Sequence, residues 1–99
     1  MNIKINSVKF SADQKLEKFV ENKIKKLSQF YDDIIGAEVF LKLENTQNLE
    51  NKITEIKVEI PGNDLFAKKQ SKSFEESTDS AIEALKIQLK KYKEKIRRF

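Results

Sequence analysis

The 99-residue sequence contains no histidine, no cysteine and no tryptophan. Without histidine it lacks the usual general base near neutral pH and the commonest metal ligand. Without cysteine it has neither a disulfide framework nor a thiolate metal site, a composition compatible with a reducing cytosol. Its only glycines are Gly36 and Gly62, so no glycine-rich loop can cradle a phosphate, and the patterns G-x-x-x-x-G-K-[ST], G-x-G-x-x-G and G-x-S-x-G are absent. No apolar run approaches the ~20 residues of a membrane span, and the N-terminus shows no apolar signal segment. Two adjacent carboxylate pairs exist, Asp32-Asp33 and Glu75-Glu76. The first reads as a solvated loop, the second as charge well placed at a helix N-terminus. No oxygen spacing resembles a calcium loop. The expectation is a cytoplasmic protein that is not an enzyme and carries no cofactor or metal.

What is present is charge, unevenly placed. Charged residues make up 36% of the chain against 38% apolar, the balance of a single small domain, residues 1–99, with one core and a heavily charged surface. Residues 86–99 hold seven basic residues and one acid, a net of +6; the whole chain carries +4, so residues 1–85 carry −2. Residues 73–99 read as one amphipathic helix. At about 100° per residue, Phe74, Thr78, Ala81, Ile82, Leu85, Leu89, Tyr92, Ile96 and Phe99 form a single stripe. Lys86, Lys90, Lys93 and Arg97 fall on one flank of it, and Lys91, Lys95 and Arg98 on the other.

The rest of the chain supplies a sheet and a second helix. Residues 2–10 alternate, with Ile3 and Ile5 inward; a bulge near Asn6 and Ser7 is expected to bring Val8 and Phe10 back to the core. Ser11 to Gln14 has the form of a capping box opening a helix that runs to Phe30 or Tyr31. Leu16, Val20, Ile24, Leu27 and Tyr31 make its stripe, and Lys15, Lys18, Lys25 and Lys26 face outward, with Lys23 beside the stripe. Gly36 is expected in a turn that needs positive φ. Strands follow at 37–44 and 52–60, joined by a polar hairpin loop over 45–51. Pro61 and Gly62 fit a type II turn, a shorter strand spans 64–70, and Ser73-x-x-Glu76 caps the last helix. The order is β-α-β-β-β-α. Strands with one wet face and two one-sided helices predict an α+β fold: a four-stranded, mainly antiparallel sheet with both helices on one face.

The basic helix is the one feature pointing to a partner. Cations near a helix C-terminus complement the dipole, and two or three lysines need no further explanation. Seven basic residues in fourteen exceed that, because like charges four apart, such as Lys86 and Lys90, repel. Nucleic acid is the favoured partner, ahead of a plain solvated surface and of an anionic membrane or acidic protein. A membrane reading suffers because the apolar stripe is needed to cover the sheet. Outward aromatics are few (Phe40 and Phe66), which argues against a base-stacking platform. The alternatives are a general structured-RNA-binding domain and a protein-interaction module using the charged sheet face.

The ordered segments 16–20, 23–27, 30–32, 39–44, 79–85 and 88–95 together resemble the ribosome hibernation promoting factor family, also called ribosome-associated inhibitor or sigma-54 modulation protein, in its short form. That resemblance implies a β-α-β-β-β-α fold similar to double-stranded-RNA-binding domains. It also implies a factor that binds the small ribosomal subunit and 16S rRNA in the mRNA and tRNA channel, inhibiting translation in stationary phase or stress. The resemblance implies RNA-binding roles for Lys23, Lys26, Lys86, Lys90, Lys91, Lys93 and Lys95, and the outward basic faces of the two helices add Lys25 and Arg97 to the expected set. Where the family has an Asp-Met-Tyr-like entry to the second helix, this chain has Ser73-Phe74-Glu75. The pairing domain of long members is not expected here, so ribosome dimers would need a separate ribosome modulation factor. The expected state off the ribosome is a monomer.

Overall fold

The computed structural model describes residues 1–44, 47 and 49–96, the last by its backbone alone. The element order is β1 (Asn2–Val8), α1 (Gln14–Phe30), β2 (Gly36–Leu43), β3 (Lys52–Ile60), β4 (Asn63–Ser71) and α2 (Phe74–Ile96). The sheet order is β1-β2-β3-β4. The expected loop over 45–51 lies partly outside the described residues, as do Arg97, Arg98, Phe99 and the Ile96 side chain at the end of the predicted stripe.

The sheet is mixed. β2–β3 and β3–β4 are antiparallel, as their alternation suggests, but β1 runs parallel to β2. Parallel neighbours need a crossover between them, and α1 provides it. The inward rows carry Ile3 and Ile5 of β1, Ala37, Val39 and Leu41 of β2, Ile56, Val58 and Ile60 of β3, and Leu65 and Ala67 of β4. Both helices cover this face with Val20, Ile24 and Leu27 of α1 and Ala81, Ile82, Leu85 and Leu89 of α2. Thr54 is fully buried in the same layer, where its Oγ1 lies 2.7 Å from Ser77 Oγ and 3.2 Å from Thr78 Oγ1. These three hydroxyls satisfy one another and tie the first turns of α2 to β3.

Four local expectations need correction. β1 has no bulge: its register with β2 is continuous from Asn2 to Val8. The phase changes one residue later, at Lys9, whose φ of 69° is in the left-handed region. That turn leaves Val8 in the row of Lys42 on the open face and sends Phe10 to the helix side, where it stacks on Phe74 at 4.7 Å. The α1 cap is Asp13, not Ser11: Leu16 N donates to Asp13 Oδ1 at 2.8 Å, and the helix begins at Gln14. Asp13→Ala is expected to cost about 1 kcal/mol in urea unfolding, while Ser11→Ala stays within about 0.5 kcal/mol. The Ser73 cap of α2 is as expected, with Glu76 N donating to Ser73 Oγ at 3.1 Å.

Gly36 is a strand residue rather than a positive-φ turn residue; Gly62, with φ of 78°, plays that part in the β3–β4 turn. Gly36 is required by space, because a Cβ there would meet the Asn2 carbonyl oxygen at 2.8 Å. Gly36→Ala is expected to push β1 from β2 and destabilise the fold by about 1–3 kcal/mol, read from the urea midpoint. The fourth strand, at nine residues, is as long as the third.

Candidate nucleic-acid interface

Three contacts fix how the helices lie. Phe10, just before α1, stacks on Phe74 at the start of α2. Lys23 Nζ pairs with Asp79 Oδ1 at 3.0 Å, and at the far ends the Tyr31 and Tyr92 rings meet edge-on at 5.9 Å. The helices are therefore side by side and run in the same direction. Their dipoles are aligned, an arrangement that favours acids at the shared N-terminal end and cations at the shared C-terminal end. The sequence supplies both: Glu17, Glu75 and Glu76 lie in the first turns, and Lys93 and Lys95 in the last turn of α2.

These contacts also orient the flanks. Asp79 and Lys93 face α1, so at about 100° per residue Lys86 and Lys90 rise on that same α1-facing flank. Gln88 Nε2 donates to the Phe66 carbonyl of β4 at 2.9 Å, so Lys91 and Lys95, which share its flank, rise on the β4 side. On α1, Lys23 and Lys26 rise toward α2, whereas Lys25 lies on the opposite flank, paired with Glu21 at 3.0 Å. The interhelical groove thus gathers Lys23, Lys26, Lys86, Lys90 and Lys93. Lys25, Lys91 and Lys95 lie on the two outer flanks. Arg97 lies outside the described residues.

The cations differ in availability. Lys23 is paired across the groove, with 31% of its side chain exposed. Lys86 pairs with Glu83 at 3.1 Å within its own helix, an exposed link of little strength. Lys93 Nζ donates to the Phe30 carbonyl and lies 4.8 Å from the Phe30 ring centroid and 5.3 Å from that of Tyr31. Tyr31 is buried, and burial pushes its hydroxyl pKa above the ordinary 10.0, with Tyr92 and then Asp33 adding to the rise. Lys26, Lys90, Lys91 and Lys95 are exposed and make no ion pair among the described residues. Lys15 and Lys18 of α1 share that state. Their outward position was readable from the helix period, but only the run of lysines along both helices marks them as part of the same surface.

The open sheet face has a different character. Lys42 Nζ lies 2.9 Å from Glu55 Oε2, and Lys68 Nζ lies 4.0 Å from the same oxygen. Across the strands, Glu38 stands opposite Lys57. Signs alternate and neutralise, so this face attracts a polyanion poorly. Phe40 is half-buried beside Lys42, and Phe66 is 52% exposed. Among the described residues, no helix is long and apolar enough to cross a membrane.

This arrangement has counterparts among known proteins. Residues 3–97 match the family described as Sigma 54 modulation protein / S30EA ribosomal protein. A ribosome hibernation promoting factor of Pseudomonas putida is 28% identical over 95 residues, covering 96% of this chain and 89% of that protein. A ribosomal subunit interface protein of Coxiella burnetii superposes with a TM-score of 0.83 at 24% identity, covering 94% of this chain and 98% of the other. The N-terminal domain of Protein Y from Thermus thermophilus gives 0.79 at 24% identity, with 93% and 99% covered. At that identity the two structures speak to the fold, which they share. With nearly its whole length matched, the chain belongs to the Sigma 54 modulation protein / S30EA ribosomal protein family.

Proposed function

We propose that this protein is a ribosome-associated hibernation factor that binds the small ribosomal subunit through its helix layer. In this reading it occupies the channel used by mRNA and tRNA, contacts 16S rRNA phosphates, and blocks translation in stationary phase or stress. It acts without catalysis, in the cytoplasm where ribosomes are. The observation that carries the reading is the placement of cations that make no ion pair among the described residues: Lys15, Lys18 and Lys26 on α1 and Lys90, Lys91 and Lys95 on α2 all project from the layer opposite the neutral sheet face. Flexible cations on a rigid support suit a phosphate backbone, which demands charge at intervals rather than base-specific geometry. Lys86, Lys23 and Lys25 can join by exchanging their surface carboxylate partners for phosphate. Family membership and the name of the P. putida relative support the ribosome as the RNA concerned.

The test is sedimentation with ribosomes through sucrose gradients, with cell-free translation run in parallel. Comigration with small subunits or whole ribosomes at low salt, and inhibition of translation, are expected. Protein left at the top of the gradient at low salt would overturn the proposal. If ribosome dimers form, a separate ribosome modulation factor is expected to be needed, and adding it to the same gradients tests that.

A further inference from the structure

We infer that Lys93, one of the cations in the groove, is a positioning residue that clasps the two helices rather than a ligand for phosphate. The inference rests on the RNA-binding reading above for its consequence, but its physical basis lies in the free protein. An α-helix leaves its last carbonyls without intrahelical donors. The usual remedies are a left-handed residue after the helix or a basic side chain in its last turn. α1 has neither: its C-cap, Tyr31, is extended at φ −144°, and no basic residue lies in its last turn. The donor comes from the neighbouring helix, as Lys93 Nζ bonds the Phe30 carbonyl.

Charge and surroundings fit the same role. A cation at the negative end of α1 is favoured by its dipole. The ammonium also lies near two aromatic rings, at 4.8 and 5.3 Å from their centroids, where the ring quadrupoles attract it. A phosphate recruiting Lys93 would have to remove it from a carbonyl and both rings and leave the Phe30 oxygen without that donor. The preceding residue extends the clasp. Tyr92 meets Tyr31 edge-on, and its hydroxyl donates to the Pro61 carbonyl in the β3–β4 turn at 3.2 Å. Residues 92 and 93 thus fasten the basic end of α2 to α1 and to the sheet. They fix where Lys90, Lys91 and Lys95 stand relative to Lys26. The nearby Lys90 has no such partner among the described residues and makes the natural comparison.

The experiment compares the wild-type protein with Lys93→Gln, Lys93→Arg and Lys90→Gln. Amide hydrogen exchange is measured on the free proteins and affinity for small ribosomal subunits over a range of salt. Lys93→Gln is expected to lose protection at the C-terminal ends of α1 and α2 and to bind about three- to tenfold more weakly, because less of the protein holds the competent arrangement. Its salt slope should stay at the wild-type value. Lys93→Arg should restore both properties. Lys90→Gln should keep its protection and lower the slope by about one unit, the signature of a lost phosphate contact. A slope lowered in Lys93→Gln as in Lys90→Gln would overturn the assignment, and so would unchanged protection with unchanged affinity. If wild-type protein failed to bind subunits, the ribosomal reading would fall. The clasp would then stand or fall on hydrogen exchange alone.

Discussion

Reversing Lys18, Lys26, Lys90 and Lys91 together to Glu is expected to weaken binding to small ribosomal subunits by roughly a thousandfold or more at physiological salt. On the proposed binding mode each substitution removes a phosphate contact and its counterion release and adds repulsion, so about 1 kcal/mol apiece compounds to that factor. Each reversal replaces a positive charge with a negative one, taking the net charge from +4 to −4. The fold should survive. All four side chains are exposed and have no ion pair among the described residues, and surface changes of this kind cost about 0.5 kcal/mol or less each. Residues 90 and 91 lie before the last turn of α2, so the helix dipole adds only a small further cost there. Circular dichroism should therefore show a folded protein with a slightly lowered melting temperature, while sedimentation with subunits disappears. A variant that is folded and still sediments with subunits would move the interface off the helix layer.

The opposite dissociation is expected in the core. Leu85 is fully buried at the centre of the α2 stripe. Leu85→Ala leaves a cavity and should cost about 2–5 kcal/mol. For a domain of this size that lowers Tm by roughly 10 to 30 °C, a large share of the 5–15 kcal/mol typical of a whole domain. Leu85→Met, which nearly conserves volume, should cost less than about 1.5 kcal/mol. At temperatures where Leu85→Ala remains folded, its affinity for subunits should be close to wild type, because the stripe faces the sheet and the lysines face away. Thermal melts with subunit binding at low temperature check both halves.

The features legible from sequence are those whose cause is local. The stripes of both helices follow from a period near 3.6, and the third strand follows from the alternation of Glu55 to Ile60. The Pro61-Gly62 turn and the Ser73 cap each follow from a few adjacent residues. Features set by distant partners were not legible. Gly36 is explained only by the Asn2 carbonyl, which arrives when β1 pairs with β2. The parallel pairing of β1 is likewise a property of the whole β-α-β unit, since a strand's alternation does not record its direction. Asp13 and Ser11 both offer a capping oxygen, and the capping-box pattern favoured Ser11; in the structure the Asp13 carboxylate accepts from Leu16 N and caps the helix.

The candidate surface divides the same way. Periodicity places Lys26, Lys90 and Lys91 outward without knowledge of any neighbour. That Lys23 reaches Asp79, or that Lys93 reaches Phe30, depends on the helices lying parallel and close, which no local pattern encodes. A count of lysines therefore overstates the number free to meet RNA, and it misses the difference between the two ends of the layer. The acids Glu75 and Glu76 at the start of α2 and the cations Lys93 and Lys95 at its end give the surface a direction along that helix, in the sense its dipole favours.

The central claim is that the helix layer, and not the sheet, meets ribosomal RNA. It is tested most directly by a cryo-electron microscopy reconstruction of the protein bound to small subunits. The predicted result has Lys26 and Lys90 against rRNA phosphates, Lys93 still on the Phe30 carbonyl, and the face bearing Glu38, Glu55 and Lys57 turned away from RNA. A complex in which that sheet face lies against rRNA while Lys26 and Lys90 point to solvent would contradict the account.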